Sequence, residues 1–187
     1  VKSCEILNDN NIKAVIPGKT LLELGKLLDD SEDEVNIFIS KNQILFQTED
    51  TTIISRLLEG EFINYNQLIP EEYKIKIRLE REKLLNSCER AALFAKDSNN
   101  TIRFEINDDI MNIRSNSESG DAYEELQIIK EGEDLEIAFN PRYFIEALKV
   151  INTDEITIEF TTNVSPSIIK TIKDDSFLYL VLPVRRR

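Results

Sequence analysis

Short stretches of alternating apolar and polar residues run through most of this chain. Residues 102–106 (Ile-Arg-Phe-Glu-Ile) are the clearest example, and most of the others are rich in Ile, Val and Phe. Alternation with period two is typical of an antiparallel strand that buries one face. The pattern predicts strands at Ile12–Ile16, Val35–Ser40, Ile44–Gln47, Thr52–Leu57, Lys74–Leu79, Ile102–Ile106, Ile110–Arg114, Leu126–Lys130, Leu135–Phe139, Glu155–Phe160, Ser167–Ile172 and Phe177–Val184.

Three other segments have apolar residues at helical spacing. They are Lys19–Asp29, Arg81–Lys96 and Pro141–Ile151. The third has Asn140 as its predicted N-cap and Pro141 at its first helical position, a combination favoured at helix starts. Each segment therefore predicts an amphipathic helix that packs one face against a sheet.

The predicted elements repeat along the chain. The helices start near residues 18, 80 and 141, about 60 residues apart, and each has one strand before it and about three after it. Such a unit cannot bury its helix and sheet faces alone, so two units should face each other in one domain. The pattern predicts an α+β fold of three units, with a junction at Phe62–Glu72 between the first unit and the pair formed by the other two. Because one unit lacks a partner and the first residue is Val1, we expect the sequence to be part of a longer chain.

Composition excludes several classes of protein. The 187 residues include no His and only Cys4 and Cys88, so imidazole-based catalysis, His-ligated zinc and a disulfide framework are excluded. No apolar run approaches the roughly 20 residues that span a bilayer, and a reducing cytoplasm is the expected location. The net charge of −12 argues against binding to nucleic acid, if charge placement is ignored.

Motifs for catalysis are weak. Gly18-Lys19-Thr20 resembles the end of a phosphate-binding loop, but Lys13 stands where that loop needs Gly, and a helix N-terminus is the simpler interpretation. The acidic runs 29–34 and 131–134 lie in predicted turns, where charged residues are usually solvated. A carboxylate-dependent hydrolase therefore stays an alternative that requires acids to converge in a cleft.

The helices and the last strand carry features that suggest binding. Each helix has at least two cations on its predicted polar face, and they are Lys19 with Lys26, Lys83 with Arg90, and Arg142 with Lys149. Leu93 and Phe94 lie off the apolar face of their helix, so they either pack locally or form a subunit interface. Residues 177–184 are almost continuously apolar, which fits either a strand buried on both faces or the floor of a hydrophobic groove.

Several segments carry the residues of one known family, in order along the chain. They are residues 55–62 (Ser-Arg-Leu-Leu-Glu-Gly-Glu-Phe) with Tyr65 and Pro70, residues 89–92 (Glu-Arg-Ala-Ala), residues 132–143 (Gly-Glu-Asp-Leu-Glu-Ile-Ala-Phe-Asn-Pro-Arg-Tyr) and residues 179–185 (Tyr-Leu-Val-Leu-Pro-Val-Arg). With these the sequence resembles the bacterial sliding clamp, the beta subunit of DNA polymerase III. The resemblance covers the latter half of the family's middle domain (residues 1–70) and its complete C-terminal domain (residues 71–187).

The resemblance implies a DNA-clamp fold and a ring. Two chains join head to tail, with helices on the inner face and antiparallel sheets outside. Such a ring encircles double-stranded DNA through non-specific phosphate contacts and has no catalytic residues, cofactor or metal of its own. It tethers the replicative polymerase, the clamp loader and repair proteins through short linear motifs. An alternative is a clamp-like protein-interaction scaffold that does not bind DNA.

The resemblance also implies particular site residues. The partner-peptide groove would be lined by Ile63, Gln67, Leu68, Asn140, Tyr143, Val164, Pro166, Leu180, Leu182, Pro183, Val184 and Arg185. Ile63, Gln67 and Pro166 differ from the residues most common in the family, and Arg186 and Arg187 extend beyond its usual end. Lys19, Lys26 and Arg90 match basic family positions, whereas Lys83, Arg142 and Lys149 are DNA-facing candidates from their helix faces alone. Leu93 and Phe94 match the hydrophobic pair of the dimer interface, and we expect the chain alone not to close a ring.

Overall fold

A computed structural model describes residues 12–28, 34–95, 99–118, 120–172 and 177–185. Two compact units divide between Asn64 and Tyr65, and they are called here the N-terminal unit and the C-terminal unit. Within the described ranges, no helix is long and apolar enough to cross a membrane. Cys4, most of the acidic run 29–34, Arg186 and Arg187 lie outside the described residues.

The N-terminal unit contains one helix and a three-stranded antiparallel sheet. Helix α1 spans Gly18–Leu27, and the strands β1 (Asn36–Ile39), β2 (Gln43–Gln47) and β3 (Thr52–Arg56) follow in that order across the sheet. Alternation places Ile44 and Phe46 of β2 on the buried side. The hydroxyl groups of Thr20 and Ser55 are 2.7 Å apart and connect α1 with β3. No residue of α1 is buried, so the predicted apolar stripe of this helix lies at the surface of the unit.

The C-terminal unit contains two helices and two antiparallel sheets. The helices are α2 (Arg81–Ala95) and α3 (Pro141–Val150). The strands are β4 (Ile75–Glu80), β5 (Ile102–Asn107), β6 (Ile110–Ser117), β7 (Gly120–Gln127), β8 (Ile129–Gly132), β9 (Leu135–Phe139), β10 (Glu155–Phe160), β11 (Ser167–Thr171) and β12 (Leu178–Val181). The sheet orders are β12-β11-β10-β4-β8 and β7-β6-β5-β9.

The two repeats of this unit exchange strands. Strand β4, which precedes α2, pairs with β10 of the second repeat, and β9, which precedes α3, pairs with β5 of the first. The alternating positions of both sheets and the apolar faces of α2 and α3 meet in one core. Phe144 of α3 packs edge-on against Phe104 and Phe139, with ring centroids 4.9 Å apart in each case. This pairing of two units in one domain agrees with the predicted fold class.

Three predicted strands differ from the structure. Residues 12–17 form no strand, and the carbonyl of Val15 accepts a bond from the amide of Leu58. The strand predicted at Leu126–Lys130 is wrong because the chain leaves one sheet at Gln127 and enters the other at Ile129. The last strand ends at Val181 rather than Val184, because Pro183 has no amide hydrogen for a ladder.

Candidate functional site

The last described residues form an exposed apolar segment. Val181 is 1% exposed and belongs to the core, whereas Leu182 is 60% exposed. After Pro183 the amide of Val184 donates to the carbonyl of Ala138 at 2.8 Å, which fixes the segment to the edge strand β9. The reading of residues 177–184 as a strand buried on both faces is therefore wrong. Leu182 and Val184 are available for a ligand, as a groove floor requires.

The first turn of α3 presents two more of the predicted groove residues. Asn140 caps the helix, since its side-chain oxygen accepts from the amide of Arg142 at 3.0 Å, and the cap does not use its amide nitrogen. Tyr143 is 46% exposed. Helix α3 contacts β12. Burial raises the pKa of Tyr179 on β12, and the negative charges of Glu146 and Tyr143 on α3 raise it further. Groove positions from α3 and the C-terminal segment therefore lie on neighbouring elements.

A tight turn before β11 carries Val164. The hydroxyl groups of Thr162 and Ser165 lie 2.6 Å apart, and the amide of Val164 donates to the Thr162 hydroxyl at 3.3 Å. These bonds hold the turn while the Val164 side chain stays exposed. Pro166, the other predicted groove residue here, is half-buried immediately before β11.

The remaining predicted groove residues occupy the junction segment and β12. Gln67 ends a short 3-10 helix, Tyr65–Gln67, and Leu68 follows it with its side chain exposed. Leu180 is half-buried within β12, and Arg185 is exposed after Val184. Ile63 belongs to the N-terminal unit and is also exposed.

A broad cleft adjoins three of the predicted groove residues. It has a volume of about 1010 Å³ and includes Val164, Val184 and Arg185. Its other lining residues come from the outer face of the four-stranded sheet and nearby loops, and they include Asn99, Thr101, Arg103, Arg114, Asn116, Glu136, Ala138 and Asn163. None of these residues was predicted from the sequence to belong to a site. A signal was present in the arginines at outward positions of two consecutive predicted strands, but only the strand register shows that they are neighbours.

Most helix cations are paired with carboxylates. Exposed ion pairs join Lys26 to Glu23, Lys83 to Glu80, Arg142 to Glu146, and Lys149 of α3 to Glu89 of α2, at 2.6–2.8 Å. Lys19 has no carboxylate partner among the residues that the structure describes. The helix surfaces are therefore mixed in charge.

Arg90 points toward a sheet rather than away from it. Its Nε atom donates to Glu124 of β7 at 2.7 Å, and Ser87, which is 1% exposed, donates to the same carboxylate at 3.1 Å. Arg90 is the main cause that holds the pKa of the Glu124 carboxyl below its usual value. Arg90 is thus exposed on α2, as its polar face predicts, but it is bound to a half-buried carboxylate of the sheet that helical spacing did not predict. Contact of Arg90 with DNA stays a prediction.

The end of α2 carries two apolar side chains beside the strand β7. Leu93 is 67% exposed, and Phe94 is half-buried, with its ring near Gly120 at the start of β7. Within its sheet β7 is a terminal strand that pairs with β6. An unpaired strand edge beside exposed apolar side chains is a geometry that another chain can extend.

The described carboxyl groups with shifted pKa values do not resemble a hydrolase site. The carboxyl groups of Glu124, Asp134 and Glu155 have pKa values lowered chiefly by Arg90, Lys130 and Arg78, respectively. A general acid needs a raised pKa, so these shifts have the wrong direction for that role. In the described part of the chain, no three His, Cys, Asp or Glu side chains cluster as metal ligands would.

Solved structures with this fold are known. The DNA polymerase sliding clamp from Bacillus subtilis superposes with a TM-score of 0.87 at 36% identity, covering 98% of this chain and 49% of that one. The beta subunit of DNA polymerase III from Thermotoga maritima superposes with a TM-score of 0.80 at 31% identity, covering 93% and 48% of the two chains. The architecture is therefore that of a DNA clamp.

Sequence comparison defines the family. Residues 1–64 match the family model of the DNA polymerase III beta subunit central domain, and residues 66–185 match that of its C-terminal domain. The beta sliding clamp of Staphylococcus aureus is 39% identical over 178 residues, which are 94% of this chain and 47% of that protein. The chain belongs to the DNA polymerase III beta subunit family. It spans about half the length of the relatives it matches.

Proposed function

We propose that this chain is part of a sliding clamp, a non-catalytic processivity factor of the replicative DNA polymerase. In the complete protein, two chains would encircle double-stranded DNA and tether the polymerase, the clamp loader and repair proteins. Such a protein works in the cytoplasm, at the replicating nucleoid. Membership of both segments of the chain in the beta subunit family supports this proposal most directly.

The proposed tether is the hydrophobic peptide groove. Its support is the exposed pair Leu182 and Val184, which the bond from Val184 to Ala138 holds in place. Val164 lines the same cleft as Val184, and exposed Tyr143 lies on α3, which contacts β12. A shallow apolar trough with a polar rim suits the Leu and Phe side chains of a short linear motif. Such a site needs few residues from the partner, which would allow several proteins to use it in turn.

A peptide titration tests the groove. We expect a labelled peptide of the Gln-Leu-x-Leu-Phe type to bind saturably, and Tyr143→Ala and Leu182→Ala each to weaken binding by about tenfold, since removal of an interface anchor costs more than about 1 kcal/mol. Ile129→Ala is the matched control, because Ile129 is a similarly exposed apolar residue on β8. Equal affinity of the peptide for the unsubstituted protein and for all three variants would refute the groove proposal.

A scaffold without DNA binding is the second candidate, and the ion pairs on the helices support it. DNA binding predicts that duplex affinity falls steeply with salt and that Lys19→Gln lowers it, because phosphate contacts release counterions. Lys41→Gln, at an exposed turn residue of the same unit, controls for loss of net charge. Fluorescence anisotropy that shows no binding to duplex DNA, or equal binding by both variants, would favour the scaffold.

A further inference from the structure

The floor of the cleft beside the groove is formed by cross-strand neighbours of the four-stranded sheet. Cross-strand neighbours on the outer face form one row, which runs from Tyr123 of β7 through Arg114 of β6 and Arg103 of β5 to Ala138 of β9. The carbonyl of Ala138 holds the amide of Val184, so the row continues into the C-terminal segment. The arginine row and the predicted groove therefore belong to one continuous surface of the C-terminal unit.

Each of the two arginines is held in place by one carboxylate. The Nε atom of Arg103 lies 3.1 Å from Glu136, and the Nε atom of Arg114 lies 2.8 Å from Glu105. The guanidinium carbon of Arg114 also lies 4.9 Å from the centre of the Tyr123 ring, which favours a cation. A guanidinium has five donor hydrogens, so a single carboxylate leaves several of them for another acceptor.

The cleft is lined by more cations than carboxylates even though the chain is acidic. Arg103, Arg114 and Arg185 line it together with Glu136. With Glu105, the partner of Arg114, counted as well, the excess is one positive charge. Asn99, Thr101, Asn116 and Asn163 add amide and hydroxyl groups that can bond a peptide backbone. The volume of about 1010 Å³ is at the upper end of the roughly 300–1,000 Å³ range of small-molecule sites, which leaves room for several peptide residues.

We propose that this cleft binds an acidic segment that flanks the linear motif of a partner peptide. The inference rests on the proposed groove and adds a charge preference to it. The motif would place its apolar side chains against Leu182 and Val184, and neighbouring Asp or Glu side chains would reach Arg103 and Arg114. Partners with the same apolar motif would then differ in affinity according to their flanking charges.

Peptides with matched extensions test the inference. A Gln-Leu-Ser-Leu-Phe peptide is compared with versions that carry three Glu or three Gln at either end. For one of the two ends, we expect the Glu version to bind about three- to tenfold more tightly than the Gln version at low salt, since each exposed pair contributes a few tenths to about 1 kcal/mol. High salt should remove the difference.

Variants locate the effect. Arg103→Gln with Arg114→Gln should abolish the gain from Glu and leave the unextended peptide unaffected, whereas Arg78→Gln, at an exposed paired arginine of the other sheet, should retain it. Circular dichroism checks that each variant is folded. The salt dependence of the difference between the Glu and Gln peptides is measured on the unsubstituted protein, so it tests the inference even if a variant does not fold.

Each contrary outcome has a separate meaning. If the unextended peptide does not bind, the groove and this inference both fail. If it binds but the Glu and Gln versions are equal at both ends, or the double variant keeps the gain, only the inference fails. If binding of a single-stranded oligonucleotide requires Arg103 and Arg114 while binding of the acidic peptides does not, the cleft is a nucleic-acid site instead.

Discussion

Replacing Glu124 with alanine should destabilise the C-terminal unit and loosen the contact between α2 and β7. Glu124 accepts bonds from both Arg90 and Ser87 of α2. Its side chain is 20% exposed, whereas the Arg90 side chain is 56% exposed. The same helix carries Leu93 and Phe94, so this contact positions the proposed dimer interface.

The magnitude follows from the burial of each partner. An exposed ion pair contributes about 0.2–1 kcal/mol and a shielded hydrogen bond to a charge about 1.5–3 kcal/mol, so we assign about 1 kcal/mol to the half-exposed pair. Ser87 would lose its acceptor in a buried position, which costs about 1 kcal/mol more. We expect a total of about 2 kcal/mol. Glu146→Ala, which breaks an exposed pair within α3, should cost only about 0.3–0.5 kcal/mol.

Urea unfolding followed by circular dichroism measures both values. A double-mutant cycle with Arg90→Ala should give a coupling of about 1 kcal/mol between Arg90 and Glu124. A loss below about 0.5 kcal/mol for Glu124→Ala, or a coupling no larger than that of Arg142 with Glu146, would refute the argument that partial burial strengthens this pair.

The same network has a pH signature. The pKa of Glu124 is lower in the folded state than in the unfolded state, chiefly because of Arg90. Its contribution to the free energy of unfolding is therefore complete above the unfolded pKa and is lost as the pH falls through the folded pKa. Unfolding midpoints of the unsubstituted protein and of Glu124→Gln should converge as the solution becomes acidic. A constant difference across that range would contradict the assignment.

Three further predictions concern packing and assembly. Gly132→Ala should cost about 3 kcal/mol or more in thermal or urea unfolding, because φ is +102° there and a Cβ atom would lie 2.1 Å from the carbonyl oxygen of Lys74. The matched Gly25→Ala, with open space around it, should not destabilise. Ser167→Ala should be as stable as the unsubstituted protein or up to about 1 kcal/mol more stable, since its buried hydroxyl has no partner in the described residues. Sedimentation of the 187-residue chain should show no closed dimeric ring, and a stable dimer of clamp dimensions would contradict that expectation.

Sequence pattern located elements well where local and tertiary signals agree. The helices begin and end within two residues of their predicted bounds, because Asn140, Pro141 and the apolar faces act locally. The strand boundaries at Gln127, Ile129 and Val181 depend instead on which sheet each segment joins. Alternation of apolar and polar residues does not indicate which sheet that is. The exchange of β4 and β9 between repeats is likewise a property of pairing across long sequence separations.

Prediction of the site residues required information that the hydrophobic pattern does not contain. The groove positions came from the resemblance, since exposed Leu182 and buried Val181 are indistinguishable by hydrophobicity. The row of Arg103 and Arg114 needed the register of β5 with β6. The pairing of Arg90 was not predicted, because its partner Glu124 is 34 residues away along the chain. Helical spacing gives the direction of a side chain from its own helix, but it does not reveal a carboxylate that another element brings near.

The net charge of −12 is compatible with DNA binding because charges differ in how firmly they are held. Exposed pairs such as Lys149 with Glu89 are worth at most about 1 kcal/mol, so a DNA phosphate can compete for the cation. Arg90, bound to a half-buried carboxylate, would lose more on switching partners. If the helices bind DNA as proposed, exchangeable pairs would give the weak, non-specific phosphate contacts that a ring needs in order to move along DNA. Pairs that hold against phosphate would favour the scaffold without DNA binding, and the salt dependence of duplex binding distinguishes the two candidates.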